Sequence, residues 1–502
     1  MMSYNQPLAA VWLSLEIAVA YVFGLAIYRL YWHPLSKIPG PKHFAVSGLP
    51  QAIDNQIRGH FNQNVLKLHE KYGEIVRTGP NHLSVSGSIG WREVFGHTRS
   101  GQAEFGHWKD FYQLGDKNVQ SIVTTDKEDH RRQRRLMSHG FSHAAIKEQE
   151  PLVDKYVEKL FAQFRKDAEL HQPTDMLKWF NFTTLDIIGD LVFGESFNCL
   201  DSGESELVDS IFNTIRIMSR MHALLRMPLL SWARRLLISK EDAQKRVEQK
   251  RISYEKAEQR IALGPAPEGR KDIMTNILRH NDEKGMSHTE ILSNADGLIM
   301  AGSETTATAL AGLTYCITTN PQALERVQRE VREAFNTEHD ITMNSTMSLK
   351  YLNACIEEAM RVYPPVAETP TRLSPGEFLN NYYIPKGTYI SIHQWADHHN
   401  ASNFVLPDDF RPERWLSADH PFHDPQFSTD KKAAFEPFSF GPRNCIGKNL
   451  AYAELRLIMA KFFWNFDFVL LPESHAWPKN QRAFTSWEKI PLMVQLKQVE
   501  RS

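Results

Sequence analysis

One cysteine constrains this 502-residue chain more than any other residue. Cys445 stands in a glycine- and proline-rich stretch, Phe438 to Gly447 (FSFGPRNCIG), directly ahead of a run that reads as helix from about Lys448 to Trp464. Glycine permits a tight loop and a close backbone approach to a flat ligand. A cysteine just before a helix meets free N–H groups and the positive end of the helix dipole, and both favour a thiolate. Arg443 adds positive charge nearby, and Phe438 can cover the sulfur. The residues alone leave two readings open: a thiolate site, or a buried structural cysteine acting as a small hydrophobe. The other cysteines, Cys199, Cys316 and Cys355, are far apart and form no CxxC pair. That argues against a disulfide framework and against zinc, and fits a reducing compartment.

The chain is 42% hydrophobic and 23% charged with net charge -1. Near-neutral charge excludes a global nucleic-acid footprint. Length alone suggests roughly three domains at about 150 residues each. From about Ser36 onward, however, there is no long low-complexity linker and no internal repeat. The best boundary candidate, Leu263 to Gly269 (LGPAPEG), separates a charged helical run, Glu241 to Ile261, from a helix starting near Asp272. Seven residues of turn chemistry suit a surface loop, so one large domain is expected. Helical periodicity marks Val65–Tyr72, Glu150–Phe164, Leu207–Ser219, His288–Thr319, Gln322–Ala334 and Asn353–Arg361. Strand signals are short: Ile75–Thr78, His82–Val85, Tyr382–Ile384, Tyr389–Ile392 and Leu492–Lys497, with Pro385-Lys386-Gly387 as a hairpin cue. The expected class is mainly α with minor β.

Leu8 to Tyr28 (LAAVWLSLEIAVAYVFGLAIY) is long enough to span a bilayer and carries one charge, Glu16. A cleaved signal peptide is the rival reading, with Ala18-Val19-Ala20 as the cleavage-like site. No Lys or Arg precedes Arg29, so the basic n-region is missing. Arg29, Lys37 and Lys42 follow the segment and keep that side cytosolic. Tyr28, Tyr31 and Trp32 sit where an interfacial aromatic belt belongs. Pro34, Pro39 and Pro41 then predict a stiff, extended hinge. The sequons at Asn181, Asn344 and Asn400 read as chance matches in a cytosolic body.

Three further motifs stand out. Glu358 and Arg361 lie three apart, on one helix face, where they can pair. Ala301-Gly302-Ser303-Glu304-Thr305-Thr306 lies within a long helix opened by a capping box, Ser287 and Glu290. A glycine, an acid and β-branched alcohols in mid-helix violate propensity, which often marks function. Asp129 to Arg135 (DHRRQRR) reads at face value as a solvated basic helix face.

The pattern F-x-x-G-x-R-x-C-x-G resembles the haem loop of the cytochrome P450 family at every position, and the other motifs agree. The resemblance runs from the hinge to the haem-loop helix, and is nearest to anchored fungal enzymes of secondary metabolism, on YRLYWHPLSKIPGPK and NCIGKNLAYAELRL. It implies the P450 fold behind a transmembrane helix: residues 1–30 an anchor, 31–42 a proline-rich hinge, 43–502 a haem-binding monooxygenase domain. It implies haem b (iron protoporphyrin IX) held by Cys445 under Phe438. Propionate contacts are implied for Arg443, Arg372, Arg134 and His130, the last standing where the family carries Trp. Glu358 and Arg361 would be buried and tied to Arg414 of Pro412-Glu413-Arg414-Trp415, where Trp replaces the usual Phe. Gly302 would let the helix bend over the haem, and Glu304 with Thr305 would organise protons for oxygen activation.

The implied activity is oxidation of a lipophilic small molecule, such as a polyketide, terpenoid or alkaloid intermediate, with O2. Electrons would come from an NADPH-cytochrome P450 reductase, with cytochrome b5 as a further donor, because no flavin or nucleotide-binding segment is found here. Arg131, Arg132, Arg135 and Lys448 are expected to form a basic docking patch. Pocket candidates are Phe111 and Tyr112 (with Phe105 and Trp108 nearby), Ile299, Ala301, Val366 and Ala367 (followed by Glu368 and Thr369), and Phe484. The expected location is the endoplasmic reticulum membrane, single-pass, with the catalytic domain cytosolic. The alternatives are a haem-thiolate isomerase or dehydratase that uses no O2, a non-catalytic membrane haem protein, and a secreted peroxygenase.

Overall fold

The computed structural model describes residues 5–98, 101–113, 120–226, 239–265, 269–282 and 284–500. The class is mainly α with minor β, as expected. The long helix His288–Thr318 forms the centre. Ser287 accepts from the Glu290 N–H and the Glu290 carboxylate accepts from the Ser287 N–H, the capping box read from the sequence. This helix packs along Met176–Phe193, and also touches Lys350–Val362 and Lys448–Asn465.

Gly302 lies at that packing seam. A Cβ there would stand 2.8 Å from Ile188 Cγ1. The helix runs without a break through this point, and the glycine serves close approach of two helices. Thr184 of the neighbouring helix donates to the Ser303 carbonyl (2.9 Å), pinning the same seam. The main core is dense in aromatics: Phe164 meets Phe180, Phe462 and Phe466 edge-on, a geometry that adds to the burial of their surfaces.

A five-stranded sheet has the order Ile75–Gly79, His82–Val85, Tyr389–Ser391, Arg372–Leu373, Gly106–His107. Only the His82–Val85/Tyr389–Ser391 pair is parallel. The last pair sets His107 opposite Arg372. Pro173–Asp175, Met493–Gln498 and Phe466–Leu470 make a three-stranded sheet.

Two local expectations change. Pro385-Lys386-Gly387 does turn the chain, with Gly387 at φ 80°, but it joins no hairpin. Tyr382–Ile384 pairs with Glu377–Leu379, whereas Tyr389–Ser391 belongs to the large sheet. A turn signal specifies a local reversal and is blind to which strand each arm will pair with. The proline-rich stretch is extended only in part, at Ile38 and Pro41. Pro34–Lys37 forms a 3-10 turn capped by His33, and Leu35 and Ile38 are buried in a second core cluster with Leu379 and Ile384.

The N-terminal helix Asn5–Tyr31 holds a 23-residue stretch, Ala9–Tyr31, apolar and long enough to cross a membrane, with its large apolar side chains exposed. Its end is tied to the body. Arg77 donates to the Arg29 carbonyl (2.8 Å), and Arg29 donates to the Val46 carbonyl (2.7 Å).

Candidate active site

The Cys445 loop is built by local constraints. Cys445 N–H donates to the Phe438 carbonyl (2.8 Å), closing the loop. Ser439 and Gly441 take positive φ, 63° and 76°. Gly441 is obligatory twice over, since a Cβ there would lie 2.2 Å from the Phe95 carbonyl oxygen. Phe438 leans on Tyr452, their centroids 4.9 Å apart. The helix Lys448–Asn465 begins three residues after the cysteine.

Cys445 is the only one of the four cysteines that is exposed; the other three are buried. Yet burial pushes its thiol pKa up, opposed by N–H groups at Gly447 and Lys448 and by the charges of Arg134 and Lys448. An accessible sulfur surrounded by protein faces an internal space. On the central helix Ala301 is exposed and Thr305 half-exposed, one turn apart on one face, while Ser303, Glu304 and Thr306 to Leu310 are buried. That opening in an otherwise buried face leaves room for a ligand beside the helix.

The cations gather beside it. Burial lowers the pKa of Arg372 to about 10, with Arg443 adding to the effect. Burial also lowers Arg443 and Arg134. His130 is depressed to about 3 by burial and by Arg443, Arg134 and Arg372, so it is neutral at physiological pH. His107, brought in by its pairing with Arg372, is depressed to about 4 mainly by burial, with its Nε2 3.0 Å from the Thr124 carbonyl. Arg443 faces Glu104 at 3.8 Å, an acid shared with Lys127 at 3.1 Å. Three clustered guanidinium groups with so little anionic compensation fit a group bearing carboxylates, such as the two haem propionates. Arg134 does more: it forks onto the Asn444 carbonyl (2.7 Å) and side-chain oxygen, gripping the loop next to the cysteine.

Glu358, Arg361 and Arg414 form a fully buried network. Arg361 makes a bidentate pair with Glu358 at 2.8 and 2.9 Å, and Arg414 Nε reaches Glu358 at 3.0 Å. Arg361 also donates to the carbonyls of His398, Pro407 and Asp409. Trp415 donates its indole N–H to Glu358 Oε2 at 2.8 Å. The phenylalanine usual in the family at this point has no such donor, so the substitution adds a hydrogen bond to the network.

Thr305 Oγ1 bonds the Ala301 carbonyl (2.7 Å). Glu304 is otherwise engaged. Its carboxylate is paired with the fully buried ammonium of Lys489, and Lys489 also donates to Thr308 Oγ1 (2.6 Å). Adjacent helix positions point about 100° apart, so Glu304 and Thr305 present different faces. Lys489 gave no signal in the sequence: a lone lysine in a C-terminal loop reads as solvated surface.

Among the pocket candidates, Tyr112 and Val366 are half-buried and Ala301 is exposed. Phe111, Ala367 and Phe484 are buried; Phe111 stacks on His222 at 4.2 Å. Ile299 is fully buried in the main core, two positions from Ala301 and so on a nearly opposite helix face, which removes it from the exposed strip. The basic patch also shrinks. Arg132 is turned inward onto Glu290 and the Gly285 carbonyl, because Glu290 is held by the capping box beside it. Lys127, Arg131 and Arg135 instead line an open cleft of about 390 Å³ shared with His130, Arg134 and Arg443.

The family model described as Cytochrome P450 matches residues 38–496. The chain is 38% identical to cytochrome P450 monooxygenase lcsI of Purpureocillium lilacinum, over 97% of this chain and 94% of that protein. It is 40% identical to the monooxygenase aclL of Aspergillus oryzae, over 95% and 96%. It is 37% identical to the trichothecene C-15 hydroxylase of Fusarium sporotrichioides, over 98% of each.

Proposed function

We propose, from the premise that this chain belongs to the cytochrome P450 family and is a haem-thiolate monooxygenase, that Cys445 would hold the haem iron through its sulfur and that the substrate is a lipophilic secondary-metabolite intermediate. The observation that carries the ligand assignment is the exposed yet desolvated sulfur of Cys445, beside an undercompensated arginine cluster. Bound haem supplies dioxygen activation, and a cysteine thiolate on its iron pushes electron density that favours O–O cleavage, a property general to P450 haem. Arg134, Arg372 and Arg443 would receive the propionates, with neutral His130 as a further donor. Arg134 would also hold the cysteine loop through Asn444. Phe438 would cover the sulfur and keep water from it; that desolvation favours the thiol in the free protein, and bound iron would hold the thiolate.

Thr305 is positioned to hold a proton-bearing water on the exposed strip, since its own hydroxyl proton goes to the Ala301 carbonyl and leaves its oxygen free to accept. Glu304 would relay protons from solvent to that water once its side chain has left Lys489. Thr305→Ala should therefore release more peroxide per NADPH consumed and form less product, in reductase-reconstituted membranes. Wild-type coupling in that variant would count against the role.

The electron donor is an NADPH-dependent diflavin reductase on the same endoplasmic reticulum membrane, with cytochrome b5 as a second donor. The cytosolic domain would carry the chemistry and residues 1–30 the anchor. Docking would use Lys127, Arg131 and Arg135 of the cleft, with Lys448 at the start of the helix after Cys445. Charge reversal at Arg131 and Arg135 should slow the first electron transfer, most at low salt, where such steering is strongest. An unchanged rate would remove the patch. The name of the Fusarium relative, a trichothecene C-15 hydroxylase, supports hydroxylation as the reaction. The function is tested by the carbon monoxide difference spectrum of the reduced protein, followed by reconstitution with reductase and a panel of lipophilic metabolites. A red-shifted Soret band and a product heavier by one oxygen are expected. Absence of any haem band in folded, haem-supplied protein would overturn the reading.

A further inference from the structure

Four oxidisable rings stand in file from beside Glu304 to the surface. Trp487 stacks on Tyr363, with centroids 4.6 Å apart. Tyr363 meets Trp477 at 5.0 Å, and Trp477 meets Tyr315 at 5.7 Å. Trp487, Tyr363 and Trp477 are buried, and Tyr315 is half-buried. Each polar tip has an acceptor, as buried Tyr and Trp require. Trp487 donates to the Pro364 carbonyl (2.7 Å), Trp477 to the Ile490 carbonyl (2.8 Å), Tyr363 to Gln481 Oε1 and Tyr315 to the His475 carbonyl (3.0 Å). Packing alone does not ask for such rings: the core cluster around Phe164 is built from Phe180, Phe462 and Phe466. Tyr and Trp rings give up an electron far more readily than that of Phe.

The two ends of the file differ. At the inner end, Trp487 stands two positions before Lys489, whose ammonium is paired with Glu304. Burial, and then the Glu304 carboxylate, push the Tyr363 phenol pKa up. Gly312 of the central helix lets the same ring approach, since a Cβ there would lie 2.7 Å from Tyr363 Cδ1. At the outer end, the Tyr315 hydroxyl reaches the backbone of exposed His475, so a proton leaving it passes to bulk water. Tyr363 has no such exit, because the Gln481 amide that accepts its bond is not a base. An electron deficit therefore settles at Tyr315, where the proton can leave. Electron transfer falls off steeply with distance, so rings in contact pass a charge far faster than one long jump.

We propose that Trp487, Tyr363, Trp477 and Tyr315 form an electron path that disposes of an oxidising equivalent left unspent when no substrate is in place. This rests on the reading of the chain as a haem monooxygenase, whose reaction with O2 supplies the oxidant. Each electron drawn inward leaves Tyr315 as a neutral radical and sends its phenolic proton to water. A soluble thiol returns one hydrogen atom to Tyr315. Two such passages join two thiols as a disulfide, and the two electrons with two protons carry the unspent oxygen atom to water. The path would protect the site from self-oxidation, one of the competing reactions that a cofactor enzyme has to exclude.

The test treats the full-length, haem-loaded protein with cumene hydroperoxide and a nitroso spin trap, without substrate. Trap adducts are located by peptide mass spectrometry, and haem bleaching is followed at the Soret band. The expected result is an adduct on Tyr315. Tyr315→Phe should remove that adduct and bleach haem several-fold faster. Trp477→Phe should also lose the Tyr315 adduct although Tyr315 is intact, and Tyr363→Phe breaks the file at a second ring should the first variant fail to hold haem. Haem-loaded protein with no adduct on Tyr315 overturns the path alone. A Tyr315 adduct that survives in the Trp477 and Tyr363 variants also overturns it, since the phenol would then be oxidised directly from solution. Equal bleaching in wild type and Tyr315→Phe overturns the protective role. Folded protein that takes up no haem overturns the haem reading and the path with it.

Discussion

Cys445→Ala is expected to abolish the red-shifted Soret band of the reduced, carbon monoxide-treated protein while leaving the far-ultraviolet circular dichroism of the helical body in place. The side chain touches the interior space and not the main core, so its loss creates little packing deficit. Three other cysteines cannot substitute, because Cys199, Cys316 and Cys355 are buried and burial raises the thiol pKa of each. Retention of the band in the variant would sink the ligand assignment. A second arm uses the haem-free protein. Burial raises the Cys445 pKa above its ordinary value, so the thiol is protonated at neutral pH. Its alkylation should be slow there despite its exposure, and should accelerate only above the ordinary range of about pH 8.5. Iron would remove the proton outright, as coordination does for thiols generally.

Glu358→Ala is expected to cost the fold roughly 3–5 kcal/mol, because it leaves the buried guanidinium groups of Arg361 and Arg414 without their shared carboxylate. Against a typical total of about 5–15 kcal/mol, that is enough to lower both the melting temperature and the amount of haem retained. Arg361 keeps three carbonyl acceptors and Arg414 keeps Asp430, so the penalty is electrostatic more than a loss of all partners. Trp415→Phe removes one donor to the same carboxylate and should cost less, about 1.5–3 kcal/mol. Chemical and thermal unfolding of the two variants gives the order. Wild-type stability and haem content in Glu358→Ala would refute the network's role.

Much of this site was legible in the chain. Where function depends on local spacing, the residues carry it: Cys445 with its glycines, the i, i+3 pair Glu358–Arg361, and the Ser287–Glu290 capping box are each satisfied within a turn or two of backbone. The long apolar run at the N-terminus is readable for the same reason, since a span is a property of consecutive residues. The tertiary structure alone decided the rest. Lys489 meets Glu304 across 185 residues, and no pattern of spacing encodes that meeting. Arg132 looked like surface charge until the capping-box carboxylate of a distant helix drew it inward. Gly302 was legible as a special position, but its cause is Ile188 on another helix. Tyr382–Ile384 was legible as a strand, yet its partner, and therefore the solvent-facing pair Phe378 and Tyr383, was set by how its other face buried Leu379 and Ile384 against the turn after the N-terminal helix. Local conformation follows from short-range sterics and hydrogen bonds, which short sequences specify. The pairing of charges and faces far apart in the chain follows from which surfaces the collapse buries together.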